Sequence, residues 1–406
     1  MDRRTDVLVV GGGATGTGIA RDLALRGVDV TLAERGGLSA GTSGRSHGLL
    51  HSGARYAEAD GPEARACLEE NRTLAEIAGA CVRETGGLFV QLSEDDPAYF
   101  EAKREACEEV GIPTEVVDGD TAREEVPDMS EDVERALRVP DGVVYPSRLV
   151  AANAADAREY GADVLPHAPV TDMRREGGRI TEVELGGEVD GTIEPTHVVN
   201  AAGPYASSIA ELVGATVELR PTRGVMVSVD YDRLEPVLNR CRDPDDGDIV
   251  VPHDDEVVLG TTSVPVDDPE AYERADWEIE RSVEDCAKML PAVADAARLR
   301  TWWGVRPLYE PEEAAIDARG ISRGFHLLEH ADEGVANLAT IVGGKLTTYR
   351  KMAEATADLV CEHLGVDADC ETATRRLTAA DDPARLDALV AEFDGQGPTD
   401  EDVVGS

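Results

Sequence analysis

His51 stands four residues before Arg55 and five before Tyr56, in the run Gly-Arg-Ser-His-Gly-Leu-Leu-His-Ser-Gly-Ala-Arg-Tyr at 44–56. A neutral imidazole accepts a proton near pH 7. A guanidinium grips an anion through a fixed fork of donors, and a phenol offers one further hydrogen bond. Arg306 and Lys345 add two more fixed positive charges, each beside a glycine or a strand end. A base and a set of cations brought to one place suit the removal of a hydroxyl proton from an alcohol that carries a phosphate. Burying a cation is costly unless an anion meets it, and three of them favour a phosphate over a carboxylate. The blander reading makes each cation half of a structural salt bridge, His51 and His47 ordinary packed histidines, and Tyr56 a packing residue. Against that reading, Lys345 is one of only four lysines in a chain with 35 arginines, as if a compact point charge were needed there.

Those residues need a scaffold, and the first fifty residues supply its signature. Asp6–Val10 reads as an apolar strand, Ala14–Arg26 as a helix closed by Gly27, and Val28–Ala33 as a second strand, a βαβ unit. Between strand and helix, Gly11-Gly12-Gly13-Ala14-Thr15-Gly16 gives Gly-x-Gly-x-x-Gly. Glycines there let the backbone approach a pyrophosphate at the helix N-terminus, while Glu34 is placed to accept hydrogen bonds from ribose hydroxyls. A dinucleotide site at the N-terminus, with no second fingerprint, favours tightly held FAD over exchangeable NAD. Val198-Val199-Asn200-Ala201-Ala202-Gly203 reads as a buried strand ending in small residues, and Val342–Thr348 as a second strand–glycine–helix junction suited to the flavin end.

The remaining pattern is mixed. Helices are expected near Glu63–Ala80, Tyr99–Val110, Arg148–Tyr160 and Thr347–Leu364, and strands near Leu88–Leu92, Ala162–Leu165, Ile180–Leu185 and Val335–Ile341. From about Leu219 short alternating strands dominate, at Val225–Val229, Asp248–Val251 and Val257–Thr261, the last two joined by a His-Asp-Asp turn. After Cys370 the chain turns polar, with one amphipathic helix from Asp382-Pro383 to about Phe393.

Charge is the abnormal bulk property: 82 acidic against 39 basic residues leave a net −43, with aromatics at 4%. Such self-repulsion suits a salt-filled cytoplasm, where the Debye length falls to about 3 Å at 1 M. The acid is spread along the whole chain, which disfavours nucleic-acid binding. No apolar run approaches a spanning helix and no signal peptide precedes the first strand, so a cytoplasmic protein is expected. The seven cysteines form neither a Cys-x-x-Cys pair nor a cluster at metal spacing, and no metal or disulfide is expected.

Taken together, the motifs at Gly11–Gly16, Gly48–Tyr56, Gly260–Ser263, Gly304–Leu308 and Gly343–Arg350 resemble the FAD-dependent glycerol-3-phosphate dehydrogenases, and most closely the catalytic A subunit of the anaerobic three-subunit form. The resemblance spans about residues 5–366. It implies an α/β chain with an FAD-binding Rossmann-like domain of the DAO/glutathione-reductase-like kind, carrying an inserted antiparallel β-rich substrate domain. On that reading the FAD domain is 1–87, 145–215 and 335–368, the substrate domain 88–144 and 216–334, and 369–406 a tail or linker. The resemblance implies oxidation of sn-glycerol 3-phosphate to dihydroxyacetone phosphate, with electrons passed through partner subunits to a membrane quinone and the chain peripheral on the inner face of the membrane. Catalytic chains of this kind continue into a cysteine-bearing C-terminal domain, whose cysteines these 406 residues do not carry.

His51, Arg306 and Arg55 are then the expected catalytic residues, and Arg55, Tyr56, Arg306 and Lys345 the substrate ligands. The FAD contacts are expected from Gly11, Gly13, Ala14, Thr15, Gly16, Glu34, Arg35, Thr42, Ser43, His47, Gly48, Leu49, Ala202, Gly203, Gly344, Leu346 and Thr347. An amino-acid or 2-hydroxy-acid oxidase on the same fold is the alternative. More distant is a non-catalytic subunit that only relays electrons through a flavin. The first needs fewer cations, and the second needs neither His51 nor Lys345.

Overall fold

A computed structural model describes residues 2–243, 248–309 and 324–395. Two sheets organise them. In the first, parallel strands lie in the spatial order Asp163–Leu165, Val30–Ala33, Asp2–Val10, Gly191–Asn200, Leu338–Gly343. Toward their carboxyl ends, Val7–Val10, Val30–Ala33, Val198–Asn200 and Leu338–Val342 are buried without alternation, as a sheet covered on both faces requires. The helices Ala14–Leu25, Pro146–Glu159 and Tyr349–Leu364 cover one face around Ile19, Leu23, Val150 and Val360. On the other face, a hairpin of Val170–Glu176 and Arg179–Leu185 packs around Met173, Ile180 and Val183.

The second sheet has nine strands and takes its members from two separate stretches of chain. Thr222–Asp230 lies one strand in from an edge, antiparallel to Glu256–Gly260 on one side and to Arg298–Arg306 on the other. The earlier stretch contributes Gly87–Leu92, Glu115–Asp118 and Val133–Val139. The join is Val237–Arg240 against Gly87–Leu92, and that pair is parallel, an exception to the antiparallel sheet expected. The Asp276–Ala287 helix packs on this sheet through Ile279 and Cys286, over a core that includes Trp303. A small third sheet of Leu49–Leu50, Gly142–Val144 and Val82–Arg83 ties the segment carrying His51 to stretches of chain that connect the two larger sheets.

Two boundaries fall differently from the sequence reading. Phe325–Glu329 pairs with Leu338–Gly343 in the first sheet, so that sheet regains the chain before residue 335. The segment after Cys370, read as a tail or linker, packs instead on the first sheet's helical layer as far as residue 395. Leu377, Leu386, Leu389 and Phe393 are buried there, the Ala80 amide donates to the Ala380 carbonyl at 2.6 Å, and the Asp382 carboxylate caps the Pro383–Glu392 helix at the Arg385 amide. Its apolar face has a partner supplied by Pro146–Glu159, which lies too far along the chain for local pattern to reveal. Residues 396–406 of that expected tail lie outside the described residues.

No disulfide forms among the described residues, and six of the seven cysteines are buried. No helix among them is long and apolar enough to cross a membrane. Since Leu389 is fully buried, Leu389→Ala should cost ~2–5 kcal/mol in denaturant unfolding in concentrated KCl. An unchanged midpoint would mean that the helix is not docked in solution.

Candidate active site

The parallel strands of the first sheet end together, since Val10 registers with Ala33 on one side and Asn200 on the other, and Asn200 with Thr340. Loops beginning at Gly11, Glu34, Ala201 and Gly344 therefore open on one edge, the carboxyl edge where doubly wound sheets bind ligands. Gly11 adopts φ +116°, and a Cβ on it would lie 2.5 Å from the Ala201 carbonyl oxygen. A Cβ on Gly16 would collide with the Gly11 carbonyl oxygen. These two glycines let the first helix approach the strand end closely.

That helix opens at Gly13 without a side-chain cap and with no acidic residue in its first turn. The Ser43 hydroxyl accepts from the Ala14 amide at 2.9 Å, and Thr15 stands beside Met352. Glu34 takes the Gly12 amide at 2.6 Å and the Gly36 amide at 2.9 Å, one on each carboxylate oxygen. A carboxylate offers about four acceptor sites, so two remain for ribose hydroxyls. Arg35 stacks 3.7 Å over the Tyr205 ring and pairs with Glu270. Thr42 donates to the Val305 carbonyl at 2.6 Å, binding this loop to the second sheet. Ala202 and Gly203 (φ +57°) follow the Gly191–Asn200 strand, and Gly344 (φ +69°) follows Leu338–Gly343 with Met352 where a Cβ would go. An acid-free helix start, side-chain-free turns and a carboxylate at the second strand end fit a dinucleotide such as FAD.

At the other end of this edge the structure gathers His51, Tyr56, Lys345 and Thr347. The His51 amide donates to the Thr347 hydroxyl at 3.0 Å, and its Nε2 lies 3.4 Å from the Tyr56 hydroxyl. The Lys345 ammonium sits 4.2 Å from the centre of the Tyr56 ring. His47 meets the His51 ring edge-on at 6.2 Å, and its Nδ1 accepts the Leu49 amide. Leu346 is partly buried in the first sheet's core beside this group.

Arg55 and Arg306 face other partners. Arg55 reaches Asn239 at 3.2 Å, in the second sheet, and Asp248 at 3.3 Å, just before the Ile249–His253 strand. Asn239 in turn donates to Asp141, which also accepts the Ser52 amide at 2.7 Å. Burial holds the Asp141 carboxyl above its ordinary range, with the Ser52 bonds opposing. Arg306 donates to the Thr262 carbonyl at 3.0 Å and the Thr261 hydroxyl at 3.2 Å.

Two further residues belong to the site although no motif announced them. Glu63 accepts from Lys345 at 2.5 Å, both side chains being nearly buried. His253, at the hairpin turn of the second sheet, places Nε2 2.8 Å from the His47 carbonyl oxygen. Burial lowers the His253 pKa, so the neutral ring donates Nε2–H to that carbonyl. Gly48 (φ +74°) has no room for a Cβ, which would lie 2.6 Å from the same imidazole. The Ile249–His253 hairpin was readable as a turn, but its contact with residue 47 was not.

The family model for FAD dependent oxidoreductases matches residues 6–350. The A1 subunit of the anaerobic glycerol-3-phosphate dehydrogenase of Haloferax volcanii is 49% identical, over 98% of this chain and 70% of the relative. The A subunit of the Escherichia coli enzyme of the same name is 42% identical, over 94% of this chain and 71% of its own length. Among solved structures, the glycerol-3-phosphate dehydrogenase of Bacillus halodurans in complex with FAD superposes with a TM-score of 0.70 at 24% identity, covering 93% of this chain and 68% of that one. Glycine oxidase from Geobacillus kaustophilus reaches 0.73 at 22%, covering 92% and 98%. At these identities the two structures speak for the fold.

Gly16→Ala should therefore yield a protein that purifies with little FAD, because the added methyl pushes the first helix off its strand. Absorbance of released flavin per chain measures this, and a full complement would refute the close-packing account.

Proposed function

We propose that this chain, which belongs to the FAD dependent oxidoreductases and among them to the A subunits of the anaerobic glycerol-3-phosphate dehydrogenases, oxidises sn-glycerol 3-phosphate to dihydroxyacetone phosphate. The observation that carries the site assignment is the convergence of His51, Tyr56 and Lys345 at the carboxyl edge of the nucleotide-binding sheet. Gly11, Gly13, Ala14, Thr15, Gly16, Glu34, Ser43, Ala202, Gly203, Gly344 and Thr347 would hold the cofactor along that edge. Bound there, FAD supplies the acceptor for the hydride that leaves the carbinol carbon.

The protein's part is to bind, to orient and to move one proton. His51 accepts the substrate hydroxyl proton on its imidazole, as a neutral histidine does near pH 7. Tyr56, within 3.4 Å of Nε2, fixes the ring and offers a hydrogen bond to the substrate oxygen. Lys345 holds negative charge on the substrate through a compact ammonium. Arg306 and Arg55, which lie in the motifs but face other partners here, are assigned to the substrate phosphate. Arg306 comes from the end of the strand that also anchors Thr42. Arg55 is held on Asp248 and Asn239. The proton that leaves the alcohol and the hydride that leaves its carbon together account for the two-electron oxidation to the ketone.

The names of the relatives call them subunits of a larger enzyme, and we extend that assembly to this chain, with partner subunits passing electrons on to a membrane quinone. On this reading the chain sits peripherally on the inner face of the membrane.

Anaerobic addition of sn-glycerol 3-phosphate to the holoprotein in concentrated KCl should bleach the flavin absorption band, whereas glycerol and D-amino acids should not. A band that persists with the phosphate ester, or bleaches with an amino acid, would overturn the substrate. In His51→Asn the FAD should remain bound while bleaching slows by roughly 10²–10⁴-fold. Bleaching at the parent rate would remove His51 as the base.

A further inference from the structure

We propose that Glu63 is the resident counter-ion of Lys345, and that an arriving phosphate ester takes the ammonium from it, so that Glu63 limits substrate affinity by competing for the same cation. The inference rests on the assignment of Lys345 to substrate binding made above.

Glu63 is the third residue of the Gly61–Ile77 helix, whose N-cap is Asp60. The Asp60 carboxylate accepts the Glu63 amide at 3.2 Å, the first half of a capping box. In the second half a glutamate at this position turns back to the N-cap amide. Here Glu63 Oε1 lies instead 2.5 Å from Lys345 Nζ, a residue of the other strand–helix junction. The two side chains are 10% and 7% exposed. The Tyr56 ring closes one side of the ammonium at 4.2 Å, and the Cys67 thiol, one helical turn on, lies 3.9 Å from the same Glu63 oxygen. Burial pushes that thiol up to about 12, so it adds no charge beside the pair.

A carboxylate buried next to the receiving place of a phosphate dianion would repel it. Paired with Lys345, it leaves the place near neutral, and it must yield the cation for an anion to bind. Removing the carboxylate charge, with the amide's size and shape kept, removes an anion that competes with the ligand for the ammonium. Breaking a buried ion pair from one side costs stability, and an anion that binds the ammonium restores part of it by mass action.

A structural salt bridge and a competing counter-ion predict opposite signs. In the holoprotein, Glu63→Gln should lower the half-saturating sn-glycerol 3-phosphate concentration for flavin reduction by about tenfold, with kcat unchanged or reduced. Inorganic phosphate should raise the Tm of E63Q more than that of the parent. Glu63→Asp keeps the charge and should stay nearer the parent in both measurements. Half-saturation that rises or stays constant in E63Q, with no larger phosphate shift, would overturn the proposal. Should E63Q not fold, the pair Lys345→Met and Glu63→Gln/Lys345→Met decides. Phosphate should stabilise the double variant more than the single one, because the single variant leaves the carboxylate bare, and the reverse order would overturn the proposal. If sn-glycerol 3-phosphate fails to reduce even the parent flavin, the substrate assignment falls, while the phosphate shifts still report on Glu63.

Discussion

Gly11, Gly16 and Ala201 meet with no space for a side-chain atom between them, and the placement of everything else follows from that contact. It brings the start of the first helix to the ends of two neighbouring strands. It also lets the Gly12 amide reach Glu34. Because the strands are parallel and in register, the loops after Asn200 and Gly343 come to the same edge. The loop carrying His51 is then held from two sides, by Thr347 on the first sheet and by His253, through the His47 carbonyl, on the second.

Charge is handled in two regimes. At the surface, exposed pairs such as Arg4–Glu194 and Arg376–Asp381 neutralise part of the acid, and the excess that gives −43 overall is left to dissolved ions. Inside, cations are neutralised one by one with carboxylates: Arg21 with Asp156, Arg26 with Asp22, Arg223 with Glu278, Arg240 with Asp95 and Arg350 with Glu70. Screening by salt scarcely reaches such buried pairs. All but Arg26–Asp22, which lie one helical turn apart, tie together segments distant in the chain, Arg350 and Glu70 being 280 residues apart. The Lys345–Glu63 pair belongs to the same interior pattern but sits where a ligand can intervene.

How much of this was legible in the sequence depends on distance along the chain. The glycine fingerprint, the first helix and Glu34 were readable because strand, turn and helix are contiguous, and local residues dictate their geometry. His51, Tyr56 and Lys345 were readable as motif members, since each lies in a short stretch of distinctive composition. The reading could not supply their partners. Glu63 looks like an ordinary first-turn glutamate, and only the fold carries it to a lysine 282 residues later. His253 looks like a turn residue, and Asp141 like a loop acid. The final helix displayed an apolar face but not the surface that covers it. The parallel join at Val237–Arg240 was hidden for the same reason, because alternation reports which face is buried and says nothing of the neighbour's direction.

That join also shapes how the chain comes together. Val237–Arg240 registers with Gly87–Val90, so the second sheet stays in two pieces until residues some 150 positions apart have met. Between them in sequence lie Asp163–Leu165 and Gly191–Asn200, both strands of the first sheet. Neither layer can be finished while the other is unstarted, and on a ribosome the nucleotide-binding layer waits for Leu338–Gly343 after the second sheet's strands have emerged. Contacts so distant in sequence slow folding and leave strand edges open meanwhile. For such an interlaced chain, the nascent and the refolding molecule share one vulnerable interval, in which a strongly hydrated acidic chain stays soluble before any native edge is covered.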